Sequence, residues 1–182
     1  MISVILSIVL LWSFYIGYSR GIILQSYYTV SSIVALVIAT GSHKQLAAFL
    51  YLWVPFANAT QGSSTYYFDE KYLFELDKIF YAGLAFLLIY TVVYAIMRFI
   101  GIFMHLLDGF SPDGQLFNLI SGGLSVLVTL ISIQIVLSIL TTIPLAFIQD
   151  KLHNSFLANA IIQYTPFTSS FLKELWISNI TG

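Results

Sequence analysis

Two long runs without a charged residue, 1–19 and 22–43, are separated by a single arginine and a single glycine, Arg20-Gly21. About 20 apolar residues in a helix cross the hydrocarbon core of a bilayer, and each run is of that order. A charge set between two such runs reads as the turn of a transmembrane hairpin. Gly21 reverses the chain and Arg20 snorkels to the headgroups. Lipid is therefore the solvent for much of this chain. Composition agrees: 8% of residues are charged, 59% are hydrophobic and mean hydropathy is +0.91. Soluble domains carry roughly a quarter charged residues, so this chain could not clothe a globular surface.

Charge and cysteine content exclude several functions. A net charge of −1 provides no basic patch to displace counterions from phosphate backbones, which argues against nucleic acid as a partner. The absence of cysteine removes disulfides, thiolate catalysis and thiolate metal sites. The N-terminus lacks the basic start and small-x-small site of a cleaved signal peptide, with Tyr15, Tyr18 and Arg20 where small residues belong, so it reads as a retained membrane helix.

The predicted architecture is all-α and polytopic, with about four transmembrane helices over residues 2–18, 22–40, 79–97 and 119–143. They form a membrane domain, 1–149, followed by an amphipathic, membrane-associated tail, 150–182. Gln25, Ser26, Thr29, Ser31, Ser32 and Thr40 make the second helix polar enough to face a partner helix. Gln25 and Gln134 read as helix–helix hydrogen bonders. Residues 45–56, with Phe49, Tyr51, Trp53 and Phe56 ahead of Pro55, are too short to span and suit an interfacial or re-entrant segment. Residues 58–65 form a polar loop. In the charge-dense stretch 69–78, Lys71/Glu75 and Glu75/Lys78 have helical pairing distances, and Asp69 and Glu70 suit the positive end of the third helix. Glycines, a proline and aspartates over 108–114 make a turn. In the tail, Phe156, Leu157, Ala160 and Ile161 share one helical face; after Pro166, Phe167, Phe171, Leu172, Leu175 and Trp176 share another.

Small residues mark packing. Ser121, Ser125 and Thr129 recur every four residues beside Gly122 and Gly123, forming a helix-packing stripe with a glycine pair that offers a kink. Pro144 ends that helix. Gly17 and Gly21 are also four apart, a spacing that near a helix end favours turn and cap over dimer contact. Lys/Arg counts and the weight of the short turns vote oppositely on orientation, which stays open.

Catalytic patterns are missing. His43, His105 and His153 lie far apart, none at metal-ligand spacing, and no nucleophile elbow, zinc-protease signature or phosphate-cradling loop occurs. No ionisable residue sits at the centre of a span, as a proton pump would require. The residues suggest a non-enzymatic protein without a cofactor, whose partners are the lipid bilayer and further copies of itself or other membrane proteins. The rival reading is an oligomeric channel or transporter subunit.

At Gly17-Tyr18-Ser19-Arg20-Gly21 the chain resembles the colicin V production protein family of small bacterial inner-membrane proteins. The matching positions continue through Ala35 and Ala39, Asn118 with Gly122, Pro144, Asn154-Ser155 and Tyr164-Thr165-Pro166. The Trp53-Val54-Pro55 loop resembles the Gram-positive branch. One departure is Ser3, where many members carry an acid early in the first helix; this chain has none before Asp69. The resemblance implies an accessory or scaffold role in toxin production and export or in envelope homeostasis, at the bacterial cell membrane. It does not imply a defined molecular activity.

Overall fold

The computed structural model describes residues 1–56, 65–103, 112, 114–165 and 168–181. Every regular element among them is helical: α1 (Ile2–Arg20), α2 (Ile22–Trp53), a 3-10 helix (Glu70–Glu75), α3 (Leu76–Ile100), α4 (Gln115–Leu140), α5 (Ala146–His153), α6 (Phe156–Tyr164) and α7 (Thr168–Thr181). α1 to α4 are each long and apolar enough to cross a membrane, so this is a multi-pass membrane protein.

α2 differs from expectation. Residues 45–53 are not a separate interfacial segment but the end of a continuous helix of 32 residues, about 48 Å long. No residue between Gly41 and Trp53 breaks the helix, and Leu46, Ala47 and Leu50 pack against Tyr81 and Ala85 of α3. The helix stops where Val54, forced extended by Pro55, adopts φ −102° and ψ 118°. Its length exceeds the ~30 Å hydrocarbon core, and exposed Phe49, Tyr51 and Trp53 decorate the overhang with the side chains that favour headgroups.

Two close pairs build the bundle: α2 with α3, and α1 with α4, joined where α4 meets α2. The α2–α3 pair rests on small against large residues. Ala35 and Ala39 of α2 make room for Ile79, Phe86 and Tyr90 of α3, and Leu172 and Trp176 of α7 close this cluster. Tyr90 Oη bonds Ser32 Oγ at 2.9 Å and Ser132 Oγ at 3.1 Å, linking three helices. α4 runs unbroken through Gly122-Gly123 and ends three residues before the expected boundary, at Leu140. Thr141 and Thr142 hydroxyls then donate to the carbonyls of Ser138 and Ile139. Buried Pro144 lies just beyond, where it cannot prolong the helix.

The tail packs on the bundle as three helices, and the expected boundary at 150 cuts through α5. Gln149 holds α5 in place: its Nε2 donates to the carbonyls of Thr141 at 3.0 Å and Ile143 at 2.8 Å, while its Oε1 accepts from Tyr66 N at 3.3 Å. On α6 the buried face is Ala158, Ile161 and Ile162, whereas Phe156 is 84% exposed, so the face read from the sequence is rotated. The Ser155 cap sets that phase by fixing the first turn against the N-terminus of α1. On α7, Leu172 and Trp176 are buried as expected, and Phe171 is exposed.

The charge-dense stretch forms a 3-10 helix before α3, which changes its pairing. At three residues per turn Lys71 and Glu75 no longer stack, and among the described residues the ion pair present is Lys71–Asp69 at 3.4 Å. Most of the predicted loops 58–65 and 108–114, together with Pro166 and Phe167, lie outside the described residues.

Candidate functional site

The small-residue stripe of α4 meets its counterpart on α1. Ser13 and Gly17 stand four apart on one face of α1 and are buried, opposite Ser121, Gly122 and Ser125 of α4. Contact is as close as two helices allow: a Cβ on Gly17 would lie 2.3 Å from Ser125 Cβ and 2.8 Å from the Ser121 carbonyl oxygen. One on Gly122 would strike the Phe14 ring at 2.7 Å. Gly17 is thus a close-approach residue inside one chain, and the expected turn role belongs to Gly21 alone, with φ 83°. Gly123 has open space around it and takes no part in the seam.

Hydroxyls complete the joint. Ser13 Oγ lies 2.6 Å from Thr129 Oγ1, 3.1 Å from Ser125 Oγ and 3.0 Å from the Ser125 carbonyl. Ser121 Oγ donates to the carbonyl of Gly17 and, bifurcated, to that of Gly21 at 3.0 Å. The Gly17 carbonyl lies in the last turn of α1, where intrahelical donors run out, and the Gly21 carbonyl is shared with Gln25 N, which donates to it at 3.2 Å as α2 begins. Asn118, one turn before Ser121 and Gly122, is half-buried. Sequence reading singled out the α4 stripe but not Ser13; its four-residue offset from Gly17 was the available signal.

Above this seam the chain brings two guanidinium groups together. Arg20 ends α1 and Arg98 stands in the last turn of α3, yet both lie over the ring of Tyr28 in α2, at 5.1 and 5.4 Å from its centroid. Tyr27 Oη donates to the Met97 carbonyl at 2.8 Å and locks the two helix ends together. Arg20 is half-buried and does not simply reach the headgroups as expected. Its side chain lies back along α1, as the tilt of helical side chains dictates, into a recess of about 200 Å³ shared with Ser13, Gln25, Tyr94, Arg98 and Thr129. No described carboxylate forms an ion pair with either arginine. Gln25 is 1% exposed and its carboxamide oxygen has no partner, so it does not make the expected helix–helix bond. Gln134 does, accepting from Thr168 of α7.

The remaining candidates are structural. Ser155 caps α6 by accepting from Ala158 N at 3.3 Å and meets Ser3 Oγ at 2.8 Å, joining the chain's first turn to its tail. His43 is fully buried; its Nδ1 faces the carbonyls of Ala39 and Thr40, which require it to be the protonated nitrogen. His153 stacks on Tyr66, ring centroids 4.2 Å apart. His105 lies outside the described residues. No group of three metal-ligating side chains converges among the described residues.

The sequence matches the colicin V production protein family over residues 2–166. The chain belongs to that family. It is also similar to the transmembrane protein YshB of Bacillus subtilis strain 168, at 28% identity over 176 residues, 97% of each chain. No solved structure matches it. On this family member, the Arg20-Gly21 landmark sits where the α1–α4 seam meets the cationic recess.

Proposed function

We propose that this colicin V production family member is a non-enzymatic accessory factor of the bacterial inner membrane. It serves export of a colicin V-like toxin or envelope homeostasis by binding lipid, further copies of itself or other envelope proteins. The α1–α4 seam carries this reading. The hydroxyls of Ser121, Ser125 and Thr129, which a pore would need along its wall, are engaged with α1 of the same chain. That engagement supports a bundle that works by association over a channel lined by these hydroxyls. The family's description supports the export role, and the four apolar helices support the location.

A strain lacking this chain tests the proposal. Detergent sensitivity or reduced export of a colicin V-type peptide should appear and be restored by the intact chain, while the purified protein leaves sealed liposomes impermeable to ions. Reproducible ion flux through such liposomes would establish the channel in its place.

A further inference from the structure

We propose that the recess of Arg20 and Arg98 binds the phosphate of a lipid whose head is a phosphate monoester, with its hydrocarbon chain lying in the groove between α1 and α3. This deepens the accessory reading by naming what the bundle holds. Three observations carry it. First, two guanidinium groups converge on Tyr28 without a described carboxylate beside them. Two like charges held close together at these helix ends repel unless an anion joins them, and a guanidinium fork matches phosphate oxygens two at a time. Second, Gln25 presents a buried, unpartnered carboxamide to the same recess; with its ends exchanged, an assignment the geometry leaves free, its NH2 donates to an anion.

Third, the recess continues into an apolar cleft. α1 and α3 stand apart while each packs on its own partner, and the space between them, about 450 Å³, is walled by Leu6, Val9, Ile133, Val136 and Leu137. Val9, Tyr94, Arg98 and Thr129 border both spaces. From Arg20 to Leu6 the groove follows α1 for about 21 Å, more than the ~15 Å depth of one hydrocarbon leaflet. A polar end with two positive charges and an apolar track of that length fit an anionic lipid rather than free phosphate. A choline head would bring a third positive charge and is disfavoured.

The test uses the full chain, stripped of lipid in a neutral detergent, with dioleoyl phosphatidic acid and dioleoyl phosphatidylcholine as probes and native mass spectrometry as readout. Phosphatidic acid should bind at least about tenfold more tightly, the effect of one or two charge-assisted hydrogen bonds. Arg98→Gln, at an exposed position outside the seam, should abolish that preference with unchanged thermal unfolding. Val136→Trp should weaken phosphatidic acid by filling the groove, and excess inorganic phosphate should not displace it. Equal binding of the two lipids, an unchanged preference in an Arg20→Gln/Arg98→Gln double variant, or displacement by inorganic phosphate would each overturn the assignment. Equal binding of the two lipids by the unaltered chain, with complementation of the deletion strain intact, sinks the lipid site alone. Intact preference with no phenotype in the deletion strain sinks the accessory role alone.

Discussion

Three glycines separate close packing from helix propensity. Gly17 and Gly122 face atoms that cannot withdraw far: a Ser125 side chain held by hydrogen bonds, a backbone carbonyl and the Phe14 ring. Gly123, one position further, faces nothing within 4 Å. Gly17→Ala and Gly122→Ala should therefore each destabilise the protein by about 1–3 kcal/mol, the range for overpacked sites. Gly123→Ala should be neutral or stabilise it by up to about 1 kcal/mol, because alanine removes the entropy cost of a helical glycine. Thermal unfolding in detergent distinguishes them; equal losses at all three positions would mean that helix flexibility, not contact, is what these glycines provide. Arg20 shows the same dependence on surroundings. Its charge marks the hairpin in the sequence, but its place over Tyr28 beside Arg98 depends on a residue far along the chain in α3, which no local pattern encodes.

At the scale of elements, the tail is fastened at a few points. α7 seats Trp176, 1% exposed, against Gly83 and Phe86 of α3. Trp176→Ala should cost about 3–5 kcal/mol, as for a large buried aromatic, and should expose α7 to protease while α1 to α4 stay folded. If α7 stays protected, the tail is held by other contacts. The loop before α3 is clipped to α5 by Tyr66, which stacks on His153 and donates its hydroxyl to Asp150 at 3.2 Å. That hydrogen bond, then the Asp150 charge, raises the Tyr66 pKa above its usual value of 10.0. The neutral phenol is the form the fold favours, so the clip is complete below pH 10 and is lost as pH climbs through the raised value. Tyrosinate absorbance should therefore rise later with pH in the intact chain than in Asp150→Asn; coincident curves would mean that the contact does not form in solution. The helical tail was legible in Phe156 to Trp176. The phase of α6 was not, because nine residues of mixed apolar character define no single face until Ser155 caps them.

For the whole molecule, charge-free runs, Arg20-Gly21 and Pro55 revealed four spans in the sequence. They did not reveal which helix lies beside which. In lipid the outer faces are as apolar as the inner ones, so hydrophobic periodicity loses its meaning and small residues become the remaining guide. That guide worked for Ser121, Ser125 and Thr129 on α4, and it would have worked for Ser13 and Gly17. It could not foresee the long α2, whose overhang resembles an interfacial helix because it carries interfacial aromatics. The glycine and hydroxyl seam joins α1 to α4 within one chain, and the α1–α3 groove is left to lipid. Because the chain has no cysteine, a double substitution Ser13→Cys/Ser125→Cys tests the seam directly. Mild oxidation in membranes should give a disulfide within the monomer, and the control pair Ser13→Cys/Gly123→Cys should stay unbridged. Disulfide-linked dimers from the first pair would instead make the stripe an interface between copies and refute an intrachain seam.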